Sequence, residues 1–160
     1  MKKLQKPYLK KLTKIGKFTV WIVNGNYIRT NINREFTNFD QHYRFSFIPK
    51  YEFWIDKEYS PNETNFFIDH LLTEWKLMSK GVPHEKALKK ADKIEKLERK
   101  KSILAKSIKL IKKQIPSEIY KKKINIYSKN LNIWIVSGEL VRDLYFIDFT
   151  EGGHDLVYSF

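Results

Sequence analysis

The feature that most constrains this chain is an internal repeat. Trp21, Ile22, Val23, Gly25, Arg29, Phe36, Thr37, Ser46 and Phe47 recur at one constant spacing as Trp134, Ile135, Val136, Gly138, Arg142, Phe149, Thr150, Ser159 and Phe160. Several unmatched positions exchange like for like: Val20 with Ile133, Ile28 with Val141, Glu35 with Asp148, Phe45 with Tyr158. Segments that keep the same residues at the same spacing are expected to share one backbone. In each, a strand pattern runs into a short turn, Asn24-Gly25 or Ser137-Gly138. Asn-Gly supplies the positive φ angles of a two-residue hairpin, so residues 20–29 and 133–142 are both expected to form hairpins. A second hairpin is expected in the first copy, with strands at residues 45–48 and 52–55 and Pro49 starting the turn.

Between the copies the pattern changes to helical. Ser60 can cap, Pro61 suits a first helical position and Glu63 completes a capping box, so a helix is expected from there to about Lys80, ended by Gly81. Phe67, Leu71, Trp75 and Met78, widened by Phe66 and Leu72, form its apolar stripe. After Pro83 a longer helix is expected to about Ile115, stopped by Pro116. Its Ile94, Leu97, Leu104, Ile108, Ile111 and Ile115 keep a three-four spacing, a seam for packing on the first helix and the sheets, with helical self-association as the rival.

The expected fold is therefore α+β: two related antiparallel β-rich copies flanking a two-helix hairpin. Its parts are a basic arm or helix at residues 1–17, β-rich copy one at 18–57, the helical hairpin at 60–115, a connector at 116–130, and a truncated β-rich copy two at 131–160. The second copy stops where the first continues into its next strand. An open sheet edge is the expected result, to be paired by copy one, another subunit or further sequence.

With 42% apolar and 15% aromatic residues the chain can bury a core. It has no cysteine, which excludes disulfides and thiolate metal sites and fits a reducing compartment. No apolar run is long enough to span a bilayer and no export signal is legible, so an intracellular protein without membrane contact is expected. The formal charge of +13 and pI near 9.7 favour an acidic partner. The lysines concentrate in the first seventeen positions and in residues 86–123, with Lys86, Lys89, Lys90, Lys93, Arg99, Lys100, Lys101, Lys112 and Lys113 as the expected polyanion-binding set. An acidic second copy meeting a basic helix of a neighbour would use the same asymmetry for self-association.

Trp21 to Arg29 with Glu35-Phe36-Thr37, Phe47-Ile48-Pro49 and Glu52 to Asp56, and then Trp134 to Arg142 with Asp148 to His154, together resemble an uncharacterised family of bacteriophage and related viral proteins. Its pattern is WxVxGxxVR, DFTEGGH and FIPxxEIWID, followed by a His/Glu-rich helix that looks like a metal site. The resemblance implies zinc ligands at His70, Glu74 and Glu95, joined by Glu151 and His154 from copy two. It also implies loss, because the family's carboxylate after the histidine is Leu71 here and its later imidazole is Leu88. A zinc hydrolase needs about three protein ligands, a water and a base. The plainer reading of the residues is a partly buried His70 hydrogen-bonded to Glu74, its i,i+4 neighbour. For Arg29 and Arg142 it is a pair with the local carboxylates Glu35 and Asp148.

No phosphate loop, Ser/His/Asp set or zinc-finger spacing is present. The expectation is a non-enzymatic phage or viral accessory or structural protein of host cytoplasm or virion. It would need no cofactor, and it would act through binding of a protein, a virion component or a polyanion. The alternatives are a peptidase-like, metal-dependent hydrolase using zinc, and a nucleic-acid-binding module.

Overall fold

A computed structural model describes residues 6–59, 61–101, 116–124 and 133–145. The protein is α+β, and its contacts divide it into two units, residues 1–95 with 150–160 and residues 96–149.

The first unit is built on a mixed sheet of four strands in the order β1-β2-β4-β3: β1 Tyr8–Ile15, β2 Phe18–Val23, β3 Phe39–Gln41 and β4 Glu52–Asp56. β1 is antiparallel to β2, β2 parallel to β4, and β4 antiparallel to β3. The short helix α1, Gly25–Asn31, leaves the end of β2. Side-chain alternation sends Phe18, Val20, Ile22, Phe53 and Ile55 to one face. There they meet Phe67, Ile68, Leu71 and Trp75 of α2, Thr64–Met78. The other face buries Val23 and Trp54 against Ile28 of α1 and against Phe36, Phe45 and Ile48 of the loop that follows. A turn of 3-10 helix, Pro61–Glu63, precedes α2. The helix ends before Gly81, whose φ of 83° only glycine adopts readily. α3, His84–Arg99, follows.

The hairpin expected at Asn24-Gly25 is not there. Gly25 is a helical residue, not one of positive φ, and the Asn24 side chain accepts from the Tyr27 N–H at 3.0 Å as a helix N-cap. The hairpin of this region lies one strand earlier, between β1 and β2, where Gly16 takes a φ of 54°. Within the expected arm or helix, Tyr8–Ile15 is a strand, with Lys10, Lys11 and Lys14 exposed along the edge of the sheet, where charge discourages further pairing. The second expected hairpin is also replaced. Residues 45–48 are a loop whose Phe45 and Ile48 are core anchors, and β4 instead lies between β2 and β3. The sheet is mixed, not antiparallel.

The second unit holds a 3-10 turn Ser117–Ile119, β5 Tyr120–Ile124, β6 Ile133–Val136 and α4 Gly138–Leu144. Here too Ser137 caps a helix instead of turning a hairpin, accepting from the Leu140 N–H. The repeat is real, but it is a strand–strand–helix unit and reaches further back than residue 20. β1 pairs β2 as Tyr8↔Val23, Lys10↔Ile22 and Lys11↔Trp21, and β5 pairs β6 as Tyr120↔Val136, Lys122↔Ile135 and Lys123↔Trp134. The irregularity after the tyrosine is the same in both. The Asn24 N–H donates to the Pro7 carbonyl and the Ser137 N–H to the Ile119 carbonyl, each at 2.8 Å. Tyr8 meets Trp21 edge-on at 5.0 Å, and Tyr120 meets Trp134 at 4.9 Å. Trp21, Gly25 and Arg29 and their counterparts Trp134, Gly138 and Arg142 therefore occupy equivalent places.

The buried residues of α3 are Ala87, Ala91, Glu95 and Arg99, while Ile94 and Leu97 of the expected apolar seam are exposed. Leu104, Ile108, Ile111 and Ile115 lie outside the described residues. No helix among the described residues is long and apolar enough to cross a membrane.

Candidate functional site

The residues that carry titratable chemistry in the first unit converge where α2, α3 and β3 meet. His70 and Glu74 are one turn apart on the buried face of α2. Ala87 and Ala91 present no bulk on the facing side of α3, so Glu95 reaches the imidazole: its Oε2 lies 2.6 Å from His70 Nδ1. Glu74 Oε2 lies 3.4 Å from His70 Nε2, and Asp92 stands 3.7 Å from Nδ1. From β3, Gln41 donates through Nε2 to Glu74 Oε1 at 2.9 Å, while its own Oε1 accepts from the Tyr43 N–H. His84, at the start of α3, brings Nε2 to 3.5 Å from the same Glu74 oxygen. Phe39 packs edge-on against the imidazole and stacks on Phe67, closing the apolar side.

Burial alone works against a charged imidazole, but the hydrogen bonds to Glu74 and Glu95 and their charges outweigh it, pushing His70 up to about 9. Burial likewise opposes the charge on Glu74, and the bonds from His70 and Gln41 hold it below the usual carboxylate range. Each ring nitrogen of His70 thus faces one carboxyl group, Nδ1 that of Glu95 and Nε2 that of Glu74. Next to it Asp40 is fully enclosed. Burial pushes it up to about 7, against the opposing pull of the Arg44 guanidinium at 3.4 Å and the Gln41 N–H.

Three of the five expected metal ligands, His70, Glu74 and Glu95, are thus brought together, and Glu151 and His154 lie outside the described residues. Among the described residues no group of three or more His, Cys, Asp or Glu is arranged to hold a metal. Leu71 is fully buried in the sheet-facing core, and Leu88 is half-buried on α3.

Gln41, Asp40 and Asp92 were not expected to join His70, Glu74 and Glu95. For Gln41 a signal existed, since the spacing that pairs Trp21 with Trp134 also pairs Gln41 with His154. The first copy therefore carries a neutral amide where the second carries a histidine, and the amide's N–H serves as a donor to Glu74.

No family model, no curated protein and no solved structure matches this chain.

Arg29 does not use the carboxylate expected for it. Arg29 Nη1 pairs with Asp56 Oδ2 at 2.8 Å rather than with Glu35, and the Gly25 N–H donates to the other Asp56 oxygen at 3.0 Å. Arg142 is buried, and Asp148 lies outside the described residues.

Of the expected polyanion-binding set, Lys86, Lys89, Lys90, Lys93 and Lys100 are exposed. Lys101 is exposed as well but pairs with Glu98 at 2.8 Å. Arg99 is no surface cation: its side chain is fully buried and donates through Nη1 to Asp143 Oδ1 at 2.8 Å within the second unit. Its stacked position on the Ala87–Ala91–Glu95 row of α3, invisible in the basic run, decides this. Lys112 and Lys113 lie outside the described residues.

Proposed function

We propose that this is a non-enzymatic accessory or structural protein of a phage or virus, acting in the host cytoplasm or virion by binding a polyanionic partner through lysines on α3. The observation that carries the reading is the division of α3 into two faces. Its inner face is committed to Ala87, Ala91 and Glu95, and its outer face holds Lys86, Lys89, Lys90 and Lys93, exposed and in no ion pair with any described residue. Exposed lysines without carboxylate neighbours repel one another and release counterions when a phosphate backbone replaces that repulsion. The exposed Lys10, Lys11 and Lys14 of β1 add to the same field.

The hydrolase alternative has less support. His70, the one buried histidine of the described cluster, already has a carboxyl group facing each ring nitrogen, Glu95 at Nδ1 and Glu74 at Nε2. A kinship with the viral family would then survive in the scaffold, with the metal-site positions turned into a buried ion cluster.

The reading is tested by titrating the chain against duplex DNA and against RNA over a range of salt. The logarithm of affinity is expected to fall linearly with the logarithm of salt. The slope should shrink by about 0.7–0.9 for each of Lys86, Lys89, Lys90 and Lys93 changed to alanine that contacts a phosphate. Absence of binding to both at low salt, or binding unchanged by salt, overturns it.

A further inference from the structure

At the turn between β1 and β2, three aromatic rings stand around one ammonium. Lys17 follows Gly16, and its Nζ lies 4.4 Å from the ring centroid of Trp75, 4.8 Å from that of Tyr51 and 5.5 Å from that of Phe18. All three distances are within the reach of a cation–π attraction. The rings are inclined to one another, Phe18 to Trp75 by 78°, Phe18 to Tyr51 by 70° and Tyr51 to Trp75 by 42°, so they form the walls of a box and not a stack.

The walls are fixed by contacts in which the ammonium has no part. Phe18 stacks on Phe53 at 4.6 Å, and the Trp75 indole N–H donates to the Lys50 carbonyl at 3.1 Å. The Thr19 N–H donates to the Tyr51 carbonyl at 2.9 Å, which holds Tyr51 beside the start of β2. Phe18 and Trp75 are buried while Tyr51 is 44% exposed, so the box is anchored in the core between the sheet and α2 and has one wall in water. Lys17 is itself exposed, and its stem therefore reaches the rings from the solvent side.

We infer that this box is a recognition site for a methylated lysine side chain of another protein, with Lys17 as its tethered stand-in. The ring quadrupoles attract any cation, but a primary ammonium is strongly hydrated and gives up water to sit among rings. A trimethylated ammonium carries the same charge with weaker hydration, which is why aromatic boxes favour it. The lysine already in place shows that an aliphatic stem can carry a charged head to all three rings at once. Because Lys17 is held nearby by the chain, an incoming side chain must compete with an intramolecular occupant, and its affinity is lowered accordingly.

The probe is the amide of N-acetyl-trimethyllysine, titrated into the full chain and followed by nuclear magnetic resonance on the Trp75 indole N–H signal, which is identified by its loss in Trp75→Phe. A saturable shift is expected in the millimolar range, with affinity about fivefold above that of the unmethylated lysine amide. Lys17→Gln removes the tethered competitor and should raise affinity about tenfold. Tyr51→Ala removes the exposed wall and should lower it about tenfold. Both substituted residues are exposed, so neither change empties the core. Three results would each overturn the proposal: no saturable shift in Lys17→Gln up to the solubility of the probe, equal binding by the neutral tert-butyl isostere, or the same affinity with and without Lys17. Choline in place of the probe separates a lipid headgroup from a lysine, and tighter binding of choline would overturn the assignment to a protein side chain. None of these measurements involves the lysines of α3, so the fates of the two proposals are separable.

Discussion

The Asp56 carboxylate occupies the space that a side chain at Gly25 would need. Its Oδ1 accepts the Gly25 N–H at 3.0 Å and its Oδ2 the Arg29 guanidinium at 2.8 Å, while a Cβ on Gly25 would sit 1.8 Å from Oδ2. Asp56 is almost fully buried, so the two donors supply the hydrogen bonds that burial would otherwise deny its oxygens. They also tie the end of β4 to the start of α1, fixing the parallel register of the sheet.

Gly25→Ala should therefore expel the carboxylate and cost about 1–3 kcal/mol, because the buried Asp56 loses its donors while Arg29 is partly exposed and can turn to water. In Asp56→Ala the same glycine change should cost far less, because nothing remains to be displaced. Urea unfolding of the two single variants and the double variant measures the coupling. Additive losses would show that the glycine serves something other than this carboxylate.

Removing His70 should have a larger effect than deletion of its volume alone. His70→Ala leaves Glu74 and Glu95 buried without the cation between them, a loss of about 3–5 kcal/mol. The pH dependence has a definite sign. The folded imidazole titrates near 9 against 6.5 when exposed, so its stabilisation is fully present below about 6.5 and is lost as pH rises through about 9. The difference in unfolding free energy between the native chain and His70→Ala, followed from pH 6 to 10, should shrink over that window. A difference independent of pH would mean that the imidazole is neutral in the fold.

How far the sequence carries can be seen at these residues. The α2 stripe of Phe67, Leu71 and Trp75 is legible because helical periodicity survives any tertiary context. The Asn24-Gly25 hairpin was misread because asparagine followed by glycine fits both a type I′ turn and a helix N-cap. Ser137 at the equivalent place favours the cap, since serine caps helices as well as asparagine does but is a poor residue for positive φ. The strand nature of residues 8–15 was hidden by lysines at both faces, although Tyr8-Leu9-Lys10-Lys11 returns as Tyr120-Lys121-Lys122-Lys123 one residue out of step with the rest. The pairing of His70 with Glu74 follows from helical spacing, but Glu95 and Gln41 join them only through the close approach of α3 and the placement of β3. Neither can be read from local pattern.

Asp40 shares the sign of the His70 pH dependence, but its substitution should stabilise the fold. Its folded carboxyl titrates near 7 against 3.8 when exposed, so between those values the folded state holds a proton that the unfolded state has released, and stability falls as pH rises. Asp40→Asn keeps the shape and removes the charge that burial penalises. It should stabilise the protein by about 1–3 kcal/mol at pH 8 and change little at pH 4, with the lost Arg44 pair reducing the gain. Chemical unfolding at the two pH values provides the comparison. Destabilisation at pH 8 would show that the Arg44 pair outweighs the cost of enclosure.

The basic residues of α3 should separate into two kinds when each is replaced by alanine. Arg99 is enclosed with Asp143, so Arg99→Ala strands a buried carboxylate and is expected to cost about 3–5 kcal/mol of stability. Lys90 and Lys93 are exposed and in no ion pair with a described residue, so their removal should leave stability within about 0.5 kcal/mol. Binding should divide the other way. Lys90→Ala and Lys93→Ala each remove a positive charge from the outer face and should flatten the salt dependence of DNA or RNA affinity. Arg99→Ala, measured where the protein is still folded, should leave that slope unchanged, because a guanidinium spent on Asp143 releases no counterion when a phosphate arrives. Circular dichroism paired with the salt titration reads both quantities on the same samples. A salt slope that falls with Arg99→Ala but not with either lysine would place the polyanion elsewhere than on the outer face of α3.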